Sequence, residues 1–292
     1  MDLELRNRRA LVTGSTDGIG FAIAKGLAAE GAAVTINGRG ADGVEQALAR
    51  LRAAVPDAKA EGIAADAATA AGANAIIARV PTVDILVNNL GIFEAKPFFE
   101  IPDADWLRFF ETNVLSGVRL SRHYAPAMRE RGWGRILFVS SESGLNIPRE
   151  MIHYGMTKTA QLAISRGLAI ELAGTGVTVN AILPGPTMSR GVRTMLEQAA
   201  QKSGKPVSEV EANFFRTARP SSLRRLIAMP RLLRCLFWKS ASWRPAKSAG
   251  SPGRSILMTS APQSASWRTQ TGPARACVRS RTLRPSRARE AG

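Results

Sequence analysis

The sequence has few of the residues that build disulfide frameworks and metal centres. Among its 292 residues, the only cysteines are Cys235 and Cys277, and the only histidines are His123 and His153. Two cysteines far apart exclude a disulfide-stapled scaffold and a structural zinc site, and so few histidines argue against a histidine-built metal centre. We therefore expect no bound metal.

Long apolar runs are also missing. No stretch approaches the roughly 18 apolar residues of a membrane span. The segment before Thr13 lacks the apolar core and cleavage pattern of a signal peptide. Hydrophobic residues make up 45% and charged residues 22% of the chain, as in ordinary globular proteins. We expect a cytoplasmic protein without a membrane span.

Most of the net charge of +17 lies at one end of the chain. Residues 224–292 contain 15 Lys and Arg but a single acid, whereas residues 1–222 contain 25 basic and 22 acidic residues. The composition of residues 223–292, rich in Arg, Ser and Pro, predicts a disordered tail and no specific nucleic-acid partner. Its amphipathic segment 222–240 leaves an anionic membrane or a nucleic acid as a lesser alternative partner.

Residues 1–222 alternate apolar runs with helical patterns. This alternation predicts an α/β domain with a Rossmann-like, doubly wound parallel sheet flanked by helices. Residues 186–220 are predicted to form a substrate lid with two short helices, over 196–204 and 207–215. The predicted strands cover 9–13, 32–36, 62–65, 83–87, 135–139 and 177–183, and the other predicted helices cover 18–30, 42–54, 103–131 and 154–172.

A glycine-rich loop joins the first predicted strand to the first helix. Its sequence, TGSTDGIG, spans residues 13–20. The glycines permit a tight turn and close approach to a diphosphate, and the helix N-terminus attracts the negative charge. The alternative is a tight turn without a ligand. The predicted cofactor contacts in the loop are Gly14, Ser15, Thr16, Asp17, Gly18, Ile19 and Gly20.

The nucleotide's adenosine end is expected near Arg39, which follows the second strand. An arginine here pairs with a 2′-phosphate and predicts NADP, whereas the nearby carboxylate of Asp17 disfavours a phosphate and keeps NAD open. Asp66, Asn88 and Gly91 end the third and fourth strands and are further cofactor candidates, with loop capping by the Asx side chains as the alternative.

Tyr154 and Lys158 are four residues apart, so they lie one helical turn apart on one face. An ammonium beside a phenol lowers the phenol's pKa and suits it to exchange protons with an alcohol or ketone oxygen. Ser141, 13 residues earlier, is placed to hold the substrate oxygen. Asn113 lies inside a predicted helix, where its amide can bend the helix and hold a water leading to Lys158.

Together these motifs resemble the short-chain dehydrogenase/reductase family over residues 6–222. The resemblance implies reversible hydride transfer between a nicotinamide and a carbonyl or secondary alcohol. It implies a catalytic tetrad with Tyr154 as general acid/base, Lys158 bound to the ribose, Ser141 on the substrate and Asn113 on a relay water. Pro184, Gly185 and Thr187, in the PGPT segment after the sixth strand, are predicted to contact the nicotinamide.

The substrate is expected against the segment before Tyr154. The predicted substrate contacts are Ser143, Leu145, Ile147 and Met151, with Glu142 and His153 as further pocket candidates. A structural or rim position is the favoured interpretation of His153, because the family mechanism does not need it. The residue types leave three substrate classes open: a 3-oxoacyl thioester, a simple ketone or a sugar.

The resemblance stops near Leu223. The family normally adds one more helix and a last strand with a Thr-Gly … Asp-Gly-Gly ending, and nothing like that ending follows here. One hypothesis is a frameshift near residues 220–230, and its rival is a genuine extension. A missing last strand puts the family's homo-oligomer in doubt and leaves a catalytically impaired nucleotide-binding protein as the alternative function.

Overall fold

A computed structural model describes residues 3–217 and 257–259. All of these residues belong to the first of two units of the chain, residues 1–261; the second, residues 262–292, lies outside the described part. The strands are β1 (Arg9–Val12), β2 (Ala33–Gly38), β3 (Ala60–Ala64), β4 (Ile85–Asn88), β5 (Gly134–Val139), β6 (Val177–Leu183) and β7 (Leu257–Thr259). The helices are α1 (Gly18–Ala29), α2 (Ala41–Ala54), α3 (Ala70–Arg79), α4 (Asp103–Phe110), α5 (Ser116–Glu130), α6 (Ile152–Glu171), α7 (Arg190–Ser203) and α8 (Val207–Thr217).

The strands form one parallel sheet in the order β3-β2-β1-β4-β5-β6-β7. Successive side chains of a strand point to opposite faces, so a sheet covered on both faces needs continuous apolar strands. In β1, Ala10 and Val12 join one buried cluster, with α1 and α2, while Leu11 joins the other, with α3, α5 and α6. This confirms the predicted Rossmann-like fold class.

The strand order reverses direction beside β1. The chain runs outward from β1 to β3 on one side and then returns to β4 on the other. In a parallel sheet the loops that follow β1 and β4 lead in opposite directions at this point and leave a crevice between them. Such folds bind ligands in this crevice. The loops after β1, β2, β4, β5 and β6 therefore meet at one edge of the sheet.

Two predictions about helices need correction. The helix predicted over 103–131 is interrupted by a π-helical turn at Glu111–Leu115, which separates α4 from α5. The sequence did not predict α3, although Thr69 caps its N-terminus by accepting a hydrogen bond from the Gly72 amide. Its run of small residues hid the helical pattern. The two short helices predicted within residues 186–220 are present as α7 and α8, and α7 begins earlier than predicted, at Arg190. Their role as a substrate lid stays a prediction. Among the described helices, none is long and apolar enough to cross a membrane.

The expectation that the last strand is missing was wrong at one point. Three residues of the predicted tail, Leu257–Thr259, pair in parallel with β6 as β7. The sequence analysis passed over this short apolar run because polar and basic residues surround it. The rest of the predicted tail, including the proposed boundary at 222/223, lies outside the described residues. The frameshift therefore stays a hypothesis.

Candidate active site

The backbone of the loop after β1 has a conformation that requires glycine at three positions. Gly14 and Gly18 both have φ of +57°, in the left-handed region that disfavours other residues. A Cβ on Gly20 would lie 2.6 Å from the Gly14 carbonyl oxygen and 2.4 Å from the Asn89 side-chain amide. The Asp17 side chain makes no capping hydrogen bond to α1. The first-turn amides of α1 thus face a tight, glycine-lined space that suits a diphosphate.

Two side chains at the carboxyl ends of β1 and β2 fix the position of this loop through hydrogen bonds. Ser15 is fully buried, and its hydroxyl donates to the Val12 carbonyl at 2.6 Å while accepting from the Asn37 amide. The Asn37 side chain donates to the carbonyls of Ile63 and Ala65. The predicted cofactor residue Ser15 therefore supports the loop from within. Asn37, which the sequence analysis did not single out, ties the loop to β3.

The end of β4 approaches the loop through Asn89. The Asn89 side chain donates to the carbonyls of Thr13 and Gly14, both at 2.9 Å. The predicted cofactor residue Asn88 is buried instead, and its amide donates to the Ser121 hydroxyl on α5. The sequence does not indicate which of the two adjacent asparagines contacts the loop, because that depends on the residue at which β4 ends.

Asp17, in the glycine-rich loop, lies beside a basic side chain of α2. Arg39 is exposed at the end of β2. Arg50, on α2, lies 3.6 Å from the Asp17 carboxylate, donates to the Thr16 carbonyl and stacks over the Phe21 ring. The sequence analysis missed Arg50, because only the fold brings α2 to the loop. The positive charge of Arg50 offsets the carboxylate that argued against a phosphate group.

Asp66 shows the capping geometry that the sequence allowed as an alternative. One of its carboxylate oxygens accepts from the Ala68 amide at 3.1 Å, and its carbonyl accepts from Thr69 at the start of α3. A role toward the cofactor stays a prediction for this residue. Ile19, at the start of α1, packs on one of the two apolar clusters.

Lys158 is buried at the centre of the site. Its ammonium donates to the Val139 carbonyl at 3.0 Å and to the Gln161 side chain at 3.2 Å. Burial lowers the pKa of Lys158 to about 7, since removing water penalises the charged form. Gly91 lies against it, because a Cβ there would be 3.3 Å from the Lys158 nitrogen and 3.5 Å from the Asn113 amide oxygen.

Tyr154 lies on α6 with Lys158 one turn further along. The Lys158 nitrogen is 5.6 Å from the centre of the Tyr154 ring. Burial raises the pKa of Tyr154, the repulsion of Glu142 adds to this, and a hydrogen bond with Ser141 opposes it. The Ser141 side chain also accepts from the Ser143 amide at 3.1 Å. The pKa of Tyr154 is therefore raised, whereas the sequence predicted that Lys158 lowers it. The phenol stays protonated at neutral pH, a state from which it can donate a proton.

Asn113 lies in the π-helical turn between α4 and α5. The sequence predicted that its amide disturbs the helix, and the turn confirms that irregularity. The side chain is buried, accepts from the Ile92 amide at 2.7 Å and donates to the Thr157 hydroxyl at 2.9 Å. The fold thus brings all four predicted catalytic residues, Asn113, Ser141, Tyr154 and Lys158, to one place.

The nicotinamide candidates follow β6 beside Ser141. The Pro184 carbonyl accepts from the Glu142 amide at 3.0 Å, and the Thr187 hydroxyl donates to the Gly185 carbonyl at 2.9 Å. The first bond joins the segment after β6 to the turn after β5, and the second lies within the segment after β6. The candidate substrate and nicotinamide segments are therefore neighbours along the sheet edge.

The predicted substrate residues surround the start of α6. Leu145 and Ile147 are exposed, with Met151 partly exposed. Ile147 packs closely on α6, where a Cβ on Gly155 would lie 2.6 Å from its side chain. Phe93, which the sequence analysis missed, makes an edge contact with the Tyr154 ring at 6.2 Å. One apolar side chain, that of Phe93, therefore lies directly beside the Tyr154 ring.

His153 lies in the interior rather than at the pocket. Its ring is fully buried, 4.1 Å from the centre of the Phe109 ring and 6.0 Å from that of Trp106. Neither ring nitrogen has a hydrogen-bond partner among the residues that the structure describes. Burial lowers the pKa of His153 and keeps it neutral, although Glu94 and Asp105 oppose this. Within the described residues, no group of three or more potential metal ligands occurs.

Comparison with known proteins agrees with this geometry. The family model for short chain dehydrogenases matches residues 8–200. The uncharacterized oxidoreductase YvaG of Bacillus subtilis is 48% identical over 230 residues, which cover 79% of this chain and 87% of that one. D-beta-hydroxybutyrate dehydrogenase of Cupriavidus necator is 34% identical over 221 residues, covering 74% and 85%.

Solved structures give the same result. The L-sorbose reductase of Gluconobacter frateurii, complexed with NADPH and L-sorbose, is 28% identical with a TM-score of 0.72, covering 81% of this chain and 90% of that one. An actinorhodin polyketide ketoreductase variant with NADPH is 29% identical with a TM-score of 0.72, covering 80% and 92%. The chain therefore belongs to the short-chain dehydrogenase/reductase family of oxidoreductases.

Proposed function

We propose that the chain is an NADP-preferring oxidoreductase that interconverts a carbonyl compound and a secondary alcohol, with Tyr154 as general acid/base. The observation that carries this proposal is the grouping of the buried Ser141 and Lys158 with the half-buried Tyr154. The Ser141 side chain lowers the pKa of the phenol, and the Lys158 nitrogen lies 5.6 Å from the centre of the Tyr154 ring. Such a pairing has a clear use in proton exchange with a substrate oxygen.

In this proposal, the loop of residues 14–20 holds the diphosphate, and Lys158 and Gly91 face the ribose beside the nicotinamide. The chemistry that a bound nicotinamide supplies is hydride transfer. Ser141 orients the substrate carbonyl, and the Tyr154 hydroxyl donates its proton to the carbonyl oxygen during reduction. In the reverse direction the phenolate takes that proton back. The positive charge of Lys158 stabilises the phenolate in either direction.

The preference for NADP is supported by charge. The exposed Arg39 follows β2, and Arg50 offsets the Asp17 carboxylate at the same end of the loop. Both charges favour a 2′-phosphate over a bare hydroxyl. Two of the similar solved structures contain NADPH.

The apolar surroundings of the phenol support a substrate with an apolar group beside its carbonyl. Phe93 contacts the Tyr154 ring, and the exposed Leu145 and Ile147 lie in the segment before α6. An NADPH-consumption assay with a simple ketone, a 3-oxoacyl thioester and a keto-sugar tests the proposal. We expect at least one to be reduced, with NADPH favoured over NADH. NADPH binding without turnover of any carbonyl or alcohol would support a nucleotide-binding protein instead.

A further inference from the structure

The Gln161 side chain joins two parts of the catalytic group. It is 1% exposed, and it lies on α6, three residues beyond Lys158. Its amide nitrogen donates to the main-chain carbonyl of Asn113 at 2.6 Å, and its oxygen accepts from the Lys158 ammonium at 3.2 Å. One side chain thus links the π-helical turn to the lysine.

The π-helical turn explains why this contact forms at Asn113. Inside a regular helix a carbonyl accepts from the amide four residues later, and a π turn interrupts that pattern. The Asn113 carbonyl, at the centre of the turn Glu111–Leu115, accepts from Gln161 on another helix. Because Gln161 uses its donor on this carbonyl, its oxygen is fixed toward Lys158 and cannot exchange places with the nitrogen without losing both bonds.

No carboxylate stabilises the charge of Lys158 among its described partners. The groups packed against its nitrogen are the Val139 carbonyl on β5, the Gln161 amide on α6, and Gly91, with the Tyr154 ring nearby. Tyr154 is the titratable group in this set, and Glu142 acts on Tyr154 rather than on Lys158. The ammonium therefore depends on neutral acceptors, and a lost acceptor has a large effect on a buried charge.

We propose that Gln161 is a positioning residue that keeps Lys158 protonated and directed at Tyr154 by bridging it to the main chain of Asn113. This inference rests on the proposed function for its catalytic meaning, but the bridge itself exists independently of any reaction. Burial lowers the pKa of Lys158 to about 7, so a modest change in its partners changes the fraction that is charged at neutral pH.

The test is the Lys158 titration midpoint in the full-length protein without nucleotide. It is read by NMR of ¹³Cε-labelled lysine, and the Lys158 signal is assigned by its loss in Lys158→Met. Gln161→Met removes the acceptor, and we expect the midpoint to fall by about one pH unit. Gln161→Glu places a carboxylate there, and we expect the midpoint to rise by at least about one unit.

Ser165→Ala is the matched control. Ser165 is also buried on α6, but its hydroxyl has no hydrogen-bond partner, so the Lys158 midpoint should stay within about 0.2 units of the wild type. If Gln161→Met does not fold, Gln161→Glu still tests the inference in the opposite direction. An unchanged midpoint in the folded Gln161 variants would overturn the proposal.

Turnover gives a second readout that separates this inference from the proposed function. A fall in the Lys158 midpoint from about 7 to about 6 lowers its charged fraction at pH 7 about fivefold. We expect kcat of Gln161→Met at pH 7 to fall by a similar factor, with KM for the ketone unchanged. Shifted midpoints in a protein that turns over no substrate would keep the bridge and refute the oxidoreductase proposal.

Discussion

The cofactor side and the catalytic side of the crevice are built differently. The loop after β1 is shaped by backbone, with two glycines at φ of +57° and a third that leaves no room for a Cβ. The catalytic side consists of buried side chains that bond to one another and to main-chain carbonyls, as Lys158, Gln161 and Asn113 do. Substitutions on the two sides should therefore fail in different ways, the first in nucleotide binding and the second in proton transfer.

The largest effect on the cofactor side is expected at Gly20. A Cβ in Gly20→Ala would collide with the Gly14 carbonyl oxygen, a backbone atom that cannot move without opening the loop. We expect a stability loss of about 1–3 kcal/mol and at least about tenfold weaker NADPH binding, measured by denaturant unfolding and fluorescence titration.

Gly43→Ala is the matched control for that change. Gly43 lies in α2 with open space around its Cβ position. The substitution should raise stability by up to about 1 kcal/mol and leave NADPH binding unchanged. Equal losses of affinity in both variants would contradict the cradle geometry.

A more selective effect, on NADPH binding alone and without a loss of stability, is expected at Arg39. In Arg39→Gln the charge that faces a 2′-phosphate is lost, so NADPH binding should weaken about 10- to 100-fold while NADH binding stays within about twofold. The same titrations on Arg166→Gln, an exposed arginine of α6, control for the change in net charge. If Arg39→Gln weakens the binding of NADPH and NADH equally, Arg39 does not determine the cofactor preference.

The smallest effect is expected from His153 and concerns stability alone. Its folded pKa is lowered, chiefly by burial, so the unfolded chain binds a proton more readily, and stability falls as the pH drops below the unfolded value of about 6.5. His153→Phe should flatten this slope between pH 7 and 5. The pKa of Asp105 is lowered, chiefly by its hydrogen bond with Lys96. Its contribution to stability is therefore lost only at lower pH, below its usual pKa of 3.8.

Urea unfolding at pH 7 and pH 5 measures this difference. His123→Gln is the control, because His123 is exposed on α5. This substitution should leave the dependence of stability on pH as it is in the wild type. A His153→Phe protein with an unchanged slope would show that the buried imidazole does not govern the acid side of stability.

The sequence was most informative where structure depends on local pattern. Apolar runs and the glycine loop predicted the sheet and the cradle, because a buried parallel strand and a positive φ each demand particular residues. The spacing of Tyr154 and Lys158 likewise placed them on one face of α6. Local pattern also indicated an irregular helix at Asn113, since asparagine is a poor helix former.

The sequence was least informative about contacts made over long distances in the chain. Arg50 reaches Asp17 from α2, and Gln161 reaches Asn113 from α6, and neither residue belongs to a motif. His153 adjoins Tyr154 in sequence, yet successive side chains of a helix point in different directions, and that of His153 packs onto Phe109. The three residues of β7 were hidden because a short edge pairing needs too few residues to form a pattern.

The most direct test of the account is Tyr154→Phe, with NADPH affinity and ketone turnover measured on the same preparation. The account predicts that the affinity stays within about twofold and that kcat falls about 10²- to 10⁴-fold, because only the proton donor is removed. Serine and lysine remain in place around the phenyl ring. A variant that keeps its turnover, or that loses nucleotide binding together with turnover, would contradict the assignment of Tyr154 as general acid/base.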